Sequence, residues 1–326
     1  MFSLSFLVKP LKILFSLTLA FVNIFPFGNI KSGKIEAIDE SSVKLTISTL
    51  SDTHIQDTFL HSGLLELGLY DISQSKTNQD LLLLVGDITN HGYLEEYERV
   101  LASINKYELA DNILFAEGNH DTWTEPRGYT LAREYFTKYA SELTGLEIEN
   151  PYYSTTIKGY PFIIMGSEAD HTAAYISDAQ LEWLAEEMKK ASETGLPIFV
   201  VSHWPLNQTH GLPETWGDDE PEPDDGGLGD QSEQVERILK SYKNVFFING
   251  HLHLGFSNGG KLKKYVSVEH DGSFHSINCP SYTFLYPELM GCGYTIEVYD
   301  DRVELRARNY TTGLWYSNYD VTIPIV

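Results

Sequence analysis

The sequence predicts an α/β protein, and three observations carry that expectation. Short apolar runs of strand length alternate with segments of helical spacing. The runs are apolar at nearly every position, as in strands covered on both faces. A chain of 326 residues with 42% hydrophobic and 21% charged content can also bury a full core. Together these features imply crossover units and mostly parallel central strands.

The first segment stands outside the alternation. In MFSLSFLVKPLKILFSLTLAFVNIFPFG, Lys9 and Lys12 precede an apolar run over 13–27, the order of a charged region followed by a signal core. We read 1–28 as a signal peptide or signal anchor. The run is shorter than the ~20 residues a spanning helix usually needs, and no small-x-small cleavage site follows it, so both forms stay open. Lys31 and Lys34 beyond the run leave its orientation open as well. This reading carries an expectation of export, either secreted or anchored at the outer face of the cell membrane, with membrane attachment through this segment. Residues 29–42 are rich in Gly, Ser and charge and read as a linker; 43–326 read as one domain.

Within that domain VKLTISTL (43–50), DLLLLVGD (80–87), NILFAEGN (112–119), PIFVVSH (197–203) and NVFFINGH (244–251) read as strands running into polar ends. Between them YLEEYERVLASINKY, SDAQLEWLAEEMKKA and QSEQVERILKSY have helical spacing, with acids early and lysines late, as the helix dipole favours. The tail changes character. YVSVEHDGSFHSIN, GYTIEVYDDRVELRARNY and YDVTIPIV read as antiparallel hairpins, with turns at Asp271-Gly272 and Asp300-Asp301. The segment 204–231 is too rich in Pro, Gly and acid for a regular element. It reads as a solvated loop or, because it begins directly after His203, as a lid. We find no internal repeat.

Net charge of -23 and a pI near 4.7 argue against a partner made of nucleic acid, whose phosphates require a surplus of Lys and Arg. The same charge draws cations toward an acidic cleft. Two cysteines exclude a thiolate cage. Cys279 and Cys292 would form a disulfide in an exported protein, or remain two packed thiols.

The strand ends share a pattern: SDTH, GDITNHG, GNHD, SHWP and GHLH each stop an apolar run at Asp, Asn or His. In open α/β sheets, side chains beyond the carboxyl ends of strands converge on one site. Asp52, His54, Asp87, Asn119, His203, His251 and His253 are oxygen and nitrogen donors without sulfur, a set suited to Zn, Mn or Fe. Seven donors are too many for one tetrahedral ion with an open position, so we expect two divalent metal ions and one bridging carboxylate. The two-residue spacing in SDTH and GHLH puts both donors on one side of extended or turning backbone. Gly86, Gly118 and Gly250 each precede a donor, as close backbone approach demands.

These five motifs, in this order, resemble the calcineurin-like metallophosphoesterases. PYYSTTIKGYPFIIMGSE followed by QLEWLAEEM is similar to the family's exported and cyclic-nucleotide-phosphodiesterase-like branches. The resemblance implies a four-layered α/β/β/α sandwich of two mixed sheets flanked by helices, with a binuclear site at one edge. It implies that Asp52, His54 and His253 bind one metal and Asn119, His203 and His251 the other, with Asp87 bridging. It also implies that His120 faces the substrate phosphate, with Asp121 holding its imidazole; an Asp there could equally cap the following turn. Asn90 stands where purple acid phosphatases carry a tyrosine, which argues against tyrosinate-bound Fe(III).

The expected chemistry is hydrolysis of a small phosphoester by a hydroxide bridging the two metals, with His120 assisting the leaving oxygen. A phosphodiesterase is favoured. The alternatives are a phosphomonoesterase on the same site and a noncatalytic metal-binding interaction module. His91, His171 and His210 lie near the motifs and could touch substrate or be polar surface residues. His61, His270 and His275 carry no spacing signal. Trp204, Trp216 and the acidic loop suggest a cation-preferring rim.

Overall fold

The computed structural model describes residues 30–123, 128–168, 174–211, 227–257, 265–272, 274–283 and 290–326. The signal segment 1–28, His171, and the acidic stretch 212–226 with Trp216 lie outside the described residues.

Two mixed sheets form the middle of the molecule. In the first, β2 (Leu45–Leu50), β3 (Leu81–Leu84) and β4 (Asn112–Phe115) run parallel, joined through α1 (Phe59–Ser73) and α2 (Leu94–Ile104). After β4 comes α3 (Tyr129–Thr144). The other side of β2 is closed by antiparallel β11 (Cys292–Val298) and β12 (Arg302–Asn309). Beyond β12 lie β13 (Leu314–Tyr316) and β1 (Ile30–Ser32), while β14 (Val321–Pro324) also pairs with β12. The second sheet has the order β5 (Tyr153–Ile157), β6 (Tyr160–Ile164), β7 (Ile198–Val201), β8 (Val245–Asn249), β10 (Phe274–Asn278), β9 (Val268–Asp271). Strands β6, β7, β8 and β10 are parallel, with antiparallel β5 and β9 at the edges.

The uniformly apolar strands are explained by what covers each face. In β3, Leu81 and Leu83 enter the core between the sheets, while Leu82 and Leu84 face the core under α1, α2 and α3. In β8, Phe246 and Ile248 point inward, and Val245 and Phe247 pack under α4 (Asp178–Ser192) and α5 (Ser232–Lys240). A side-chain period of two with both faces covered requires apolar residues throughout. The result is four layers, α/β/β/α, as the resemblance implied. α4 starts at Ser177, whose side chain accepts from Gln180 N, and carries Lys189 and Lys190 in its last turn.

Several sequence readings change. The segment read as a linker, 29–42, is not free chain over its described residues 30–42: β1 pairs with β13, and Ile35 and Ala37 are buried. Ile35 packs under the first sheet's helices, which overrides the local Gly and Ser signal. Cys279 and Cys292 are both unbridged and buried in the core between the sheets, the packed-thiol alternative. The helical spacing was not read in α1, whose apolar positions are spread round the helix, nor in α3, although its buried Ala132, Phe136, Tyr139, Ala140 and Leu143 share one face. No helix among the described residues is long and apolar enough to cross a membrane.

Arg308 joins the pieces around β12. Its fully buried guanidinium donates to Asp71 Oδ2 from α1 at 2.7 Å and to Gly33 O after β1 at 2.9 Å, and lies 4.3 Å from the Trp315 ring centre. Arg308→Ala should cost about 3–5 kcal/mol by leaving Asp71 uncompensated. Arg308→Met with Asp71→Leu should recover much of that in urea unfolding; equal loss in both variants would refute the pairing argument.

Candidate metal centre

The five motifs follow the carboxyl ends of β2, β3, β4, β7 and β8, at one edge of the two sheets. The loops after β2 and β3 are laced together: Asp52 N donates to Gly86 O and His54 N to Asp87 O, both at 3.0 Å. This lacing requires a turning backbone rather than an extended one. Asp52 (φ 54°), His54 (43°) and Asp87 (51°) are left-handed, as are His251 (66°) and His253 (49°) after β8. Such angles are strained for residues with a Cβ, at about 1–3 kcal/mol each, and persist only where surroundings over-determine them.

Two glycines let the loops close. A Cβ at Gly118 would lie 2.2 Å from Asp87 Oδ1 and 2.4 Å from Asp87 N. At Gly86, φ is +88° and a Cβ would meet His203 Nδ1 at 2.5 Å.

The structure brings all seven expected donors together. His253 Nε2 lies 3.1 Å from His54 Nε2 and 3.2 Å from Asp52 Oδ1. Asp87 Oδ2 lies 3.2 Å from His203 Nε2 and 3.8 Å from His54 Nε2. His251 Nδ1 is 3.0 Å from Asn119 Oδ1. Asp52, His54, Asp87 and His253 form one group whose donor atoms lie within 4.8 Å of one another, and Asp87, His203 and His251 form another. Asp87 belongs to both.

Do these residues fit metal ions? Metal–ligand bonds of about 2.1 Å put adjacent donors roughly 3.0 Å apart in an octahedron and 3.4 Å in a tetrahedron; four spacings of 3.0–3.2 Å fall near the first figure, and the 3.8 Å from His54 to Asp87 is longer than either. Asp52 Oδ1, Asp87 Oδ2 and His203 Nε2 are buried without a hydrogen-bond partner. Polar atoms left in that condition are costly unless something bonds them. The set fits a pair of cations.

The protonation states agree. Burial, then the His203 charge, pushes His251 down to about 3, and burial pushes His54 down to about 4. Both are therefore neutral imidazoles, the form that binds metals. Burial opposes charge at His203 too, yet the Asp87 carboxylate, 3.2 Å from its Nε2, holds His203 up at about 9. Burial likewise opposes ionisation of Asp87, but His203 outweighs it and holds the carboxyl well below its usual range.

His120 adjoins this cluster, its ring centre 4.6 Å from that of His54. Its Nδ1 donates to the Asn90 carbonyl at 2.7 Å, and its backbone N donates to Asp87 Oδ1 at 2.8 Å. The expectation that Asp121 holds this imidazole is therefore corrected. Asp121 is fully buried and accepts from Thr89 N, Thr89 Oγ1 and Gly118 N at 2.8–2.9 Å, and weakly from Ile88 N at 3.4 Å. Its carboxylate points into the loops, tying the β3 end to the β4 end, and so cannot also reach the ring. Burial, then the Asp87 charge, raises it to about 7.

Trp204 is buried, edge-on to His203, so it backs the site rather than forming a rim. His210 is also buried, donating from Nδ1 to Val266 O and accepting at Nε2 from Asn249, which removes it from substrate. His270 and His275 pair across β9 and β10. His61, which had no spacing signal, supports the site by donating from Nδ1 to His54 O at 2.6 Å. Asn90 was missed as a partner of His120 because it acts through its backbone carbonyl, which side-chain identity does not encode. Ser51, whose hydroxyl donates to Asp52 Oδ2 at 2.6 Å, was legible only as the residue before SDTH's aspartate.

The calcineurin-like phosphoesterase family model matches residues 45–255. A probable cyclic nucleotide phosphodiesterase from Rhodococcus erythropolis is 28% identical over 166 residues, 48% of this chain and 51% of that protein. A probable glycerophosphodiester phosphodiesterase from Arcobacter nitrofigilis is 25% identical over 167 residues, 48% of this chain and 56% of that one. The chain spans about half the length of these curated relatives. Among solved structures, a dimetal phosphatase from Danio rerio matches with a TM-score of 0.57 at 15% identity, over 87% of this chain and 100% of that one, a likeness of fold.

Gly118→Ala should weaken metal binding at least about ten-fold by displacing Asp87, in line with changes just behind metal ligands. Metal titration of the folded variant checks this; unchanged affinity would show that the Asp87 loop tolerates displacement.

Proposed function

The chain belongs to the calcineurin-like phosphoesterase family, and from that premise we propose that it is a metal-dependent phosphohydrolase acting on phosphodiesters. The observation that carries the reading is that Asp87 is common to both donor groups, which makes one site of two. Asp52, His54 and His253 would hold one divalent ion, and Asn119, His203 and His251 the other, with Asp87 touching both. When bound, such a pair of manganese, iron or zinc ions supplies Lewis acidity toward phosphoryl oxygens and a water of lowered pKa.

The chain's own contribution is positional. The Asn90 carbonyl keeps a proton on Nδ1 of His120, so Nε2 is the atom that exchanges a proton with the substrate. The imidazolium gives that proton to the leaving oxygen, which needs it most when the leaving group is an alkoxide. Asp121 acts through backbone: by gripping Thr89 and Gly118 it fixes the distance between the Asp87 loop and the Asn119-His120 loop.

The preference for diesters is supported by the names of both relatives, each a diesterase. A small phosphoester is the proposed partner. Export is supported by the order of Lys9, Lys12 and the apolar run.

Reconstituted protein should hydrolyse bis(4-nitrophenyl) phosphate faster than 4-nitrophenyl phosphate and lose activity to chelation. The reverse order would favour the monoesterase, and metal binding without turnover would favour the interaction module. His120→Ala should lower kcat by about 10²- to 10⁴-fold with metal content unchanged; a parallel loss of metal would mean that His120 is a ligand.

A further inference from the structure

Outward from His120 the aromatic surface continues. The Trp123 ring centre lies 4.9 Å from that of His120, with the planes at 47°. The His91 ring follows, 6.4 Å from Trp123 and nearly perpendicular to it at 75°. Tyr93 stacks on His91 at 5.1 Å and 18°. These rings are half-buried, and the His91 side chain is 39% exposed, so part of this surface faces solvent beside the proton-transfer residue.

His91 is held in place. Glu96 in the first turn of α2 is buried and accepts through Oε2 from His91 N at 2.7 Å and Tyr93 N at 3.3 Å. Those bonds cap the helix and need only one oxygen. The other, Oε1, accepts from His91 Nδ1 at 3.0 Å, which fixes the ring and its tautomer. The Nε2 edge lies 3.1 Å from the Asn90 side-chain amide.

We propose that His91, Tyr93 and Trp123 form a subsite for a nucleobase carried by the phosphodiester substrate. The inference rests on the phosphodiesterase reading and names the substrate class of that site. Ring faces at right angles offer a flat heteroaromatic group one stacking contact and one edge contact. The Asn90 side-chain amide at the far end, which also lies against His91 Nε2, offers hydrogen bonds to base heteroatoms, which a plain aryl group lacks. The Glu96 charge is already taken up by three N–H groups, so the subsite is not built for an ammonium arm.

The test compares ligands that differ only in the base. Inhibition constants of 2′-deoxyadenosine 3′,5′-cyclic phosphate and the base-free 3′,5′-cyclic phosphate of 1,2-dideoxyribose are measured against bis(4-nitrophenyl) phosphate turnover by the metal-loaded full chain. The wild type should bind the base-bearing ligand about ten-fold or more tightly, the scale of one base–aromatic stack. Trp123→Ala and His91→Ala should bring the ratio near one, while Trp123→Phe keeps most of it. Because it is a ratio within each variant, a general loss of activity cancels; metal content and thermal melting confirm that each variant is folded. A wild-type ratio near one, or a ratio unchanged in both alanine variants, overturns the proposal. So does tighter inhibition by glycerophosphocholine that depends on Trp123. Absence of any turnover of the reporter would instead defeat the parent reading, and the subsite with it.

Discussion

Asp52 and Asp87 are fully buried carboxylates in one cluster with two buried imidazoles, His54 and His203, and two part-buried ones, His251 and His253, and a buried charge is tolerable only beside its opposite. That requirement organises the rest of the edge. In the protein alone it is met in part by hydrogen bonds from Ser51 and from His120 N. Those partners satisfy one oxygen of each carboxylate and leave the other turned toward the remaining donors. A pair of divalent cations answers the same requirement more completely, because it bonds the unsatisfied oxygens and the neutral imidazoles at once.

Convergence on that cluster is achieved by backbone as much as by side chains. Five of the seven donors sit at positive φ, held there by hydrogen bonds that lace one loop to the next. The sandwich makes this affordable: strands packed apolar on both faces fix the loop origins, and strain at their ends is set against a large core. Asp121 belongs to this framework, a buried carboxyl whose donors are mostly backbone amides. Its importance is mechanical, since it joins the two loops that bring Asp87 and His120 together.

How much of this was legible follows from which residues encode it. The α/β alternation was readable because strands with both faces covered leave continuous apolar runs, as in β3 and β8. The seven donors were readable because each ends such a run, and strand ends converge. α1 was not, since its apolar residues surround the helix and show no single face. The role of Asp121 was misread because adjacency in sequence suggested contact with His120, whereas the turn sends consecutive side chains in different directions. Asn90 was invisible as a partner because a carbonyl belongs to every residue. His91 was noticed only as a neighbour; its pairing with Glu96 depends on the start of α2, which sequence alone places less securely.

The central claim is that the seven donors enclose two cations with Asp87 between them. Anomalous diffraction from crystals of the manganese-loaded protein tests it directly. The account predicts two strong peaks, one bounded by Asp52, His54 and His253 and the other by Asn119, His203 and His251, both within bonding distance of Asp87. A single peak, or peaks away from Asp87, would contradict it.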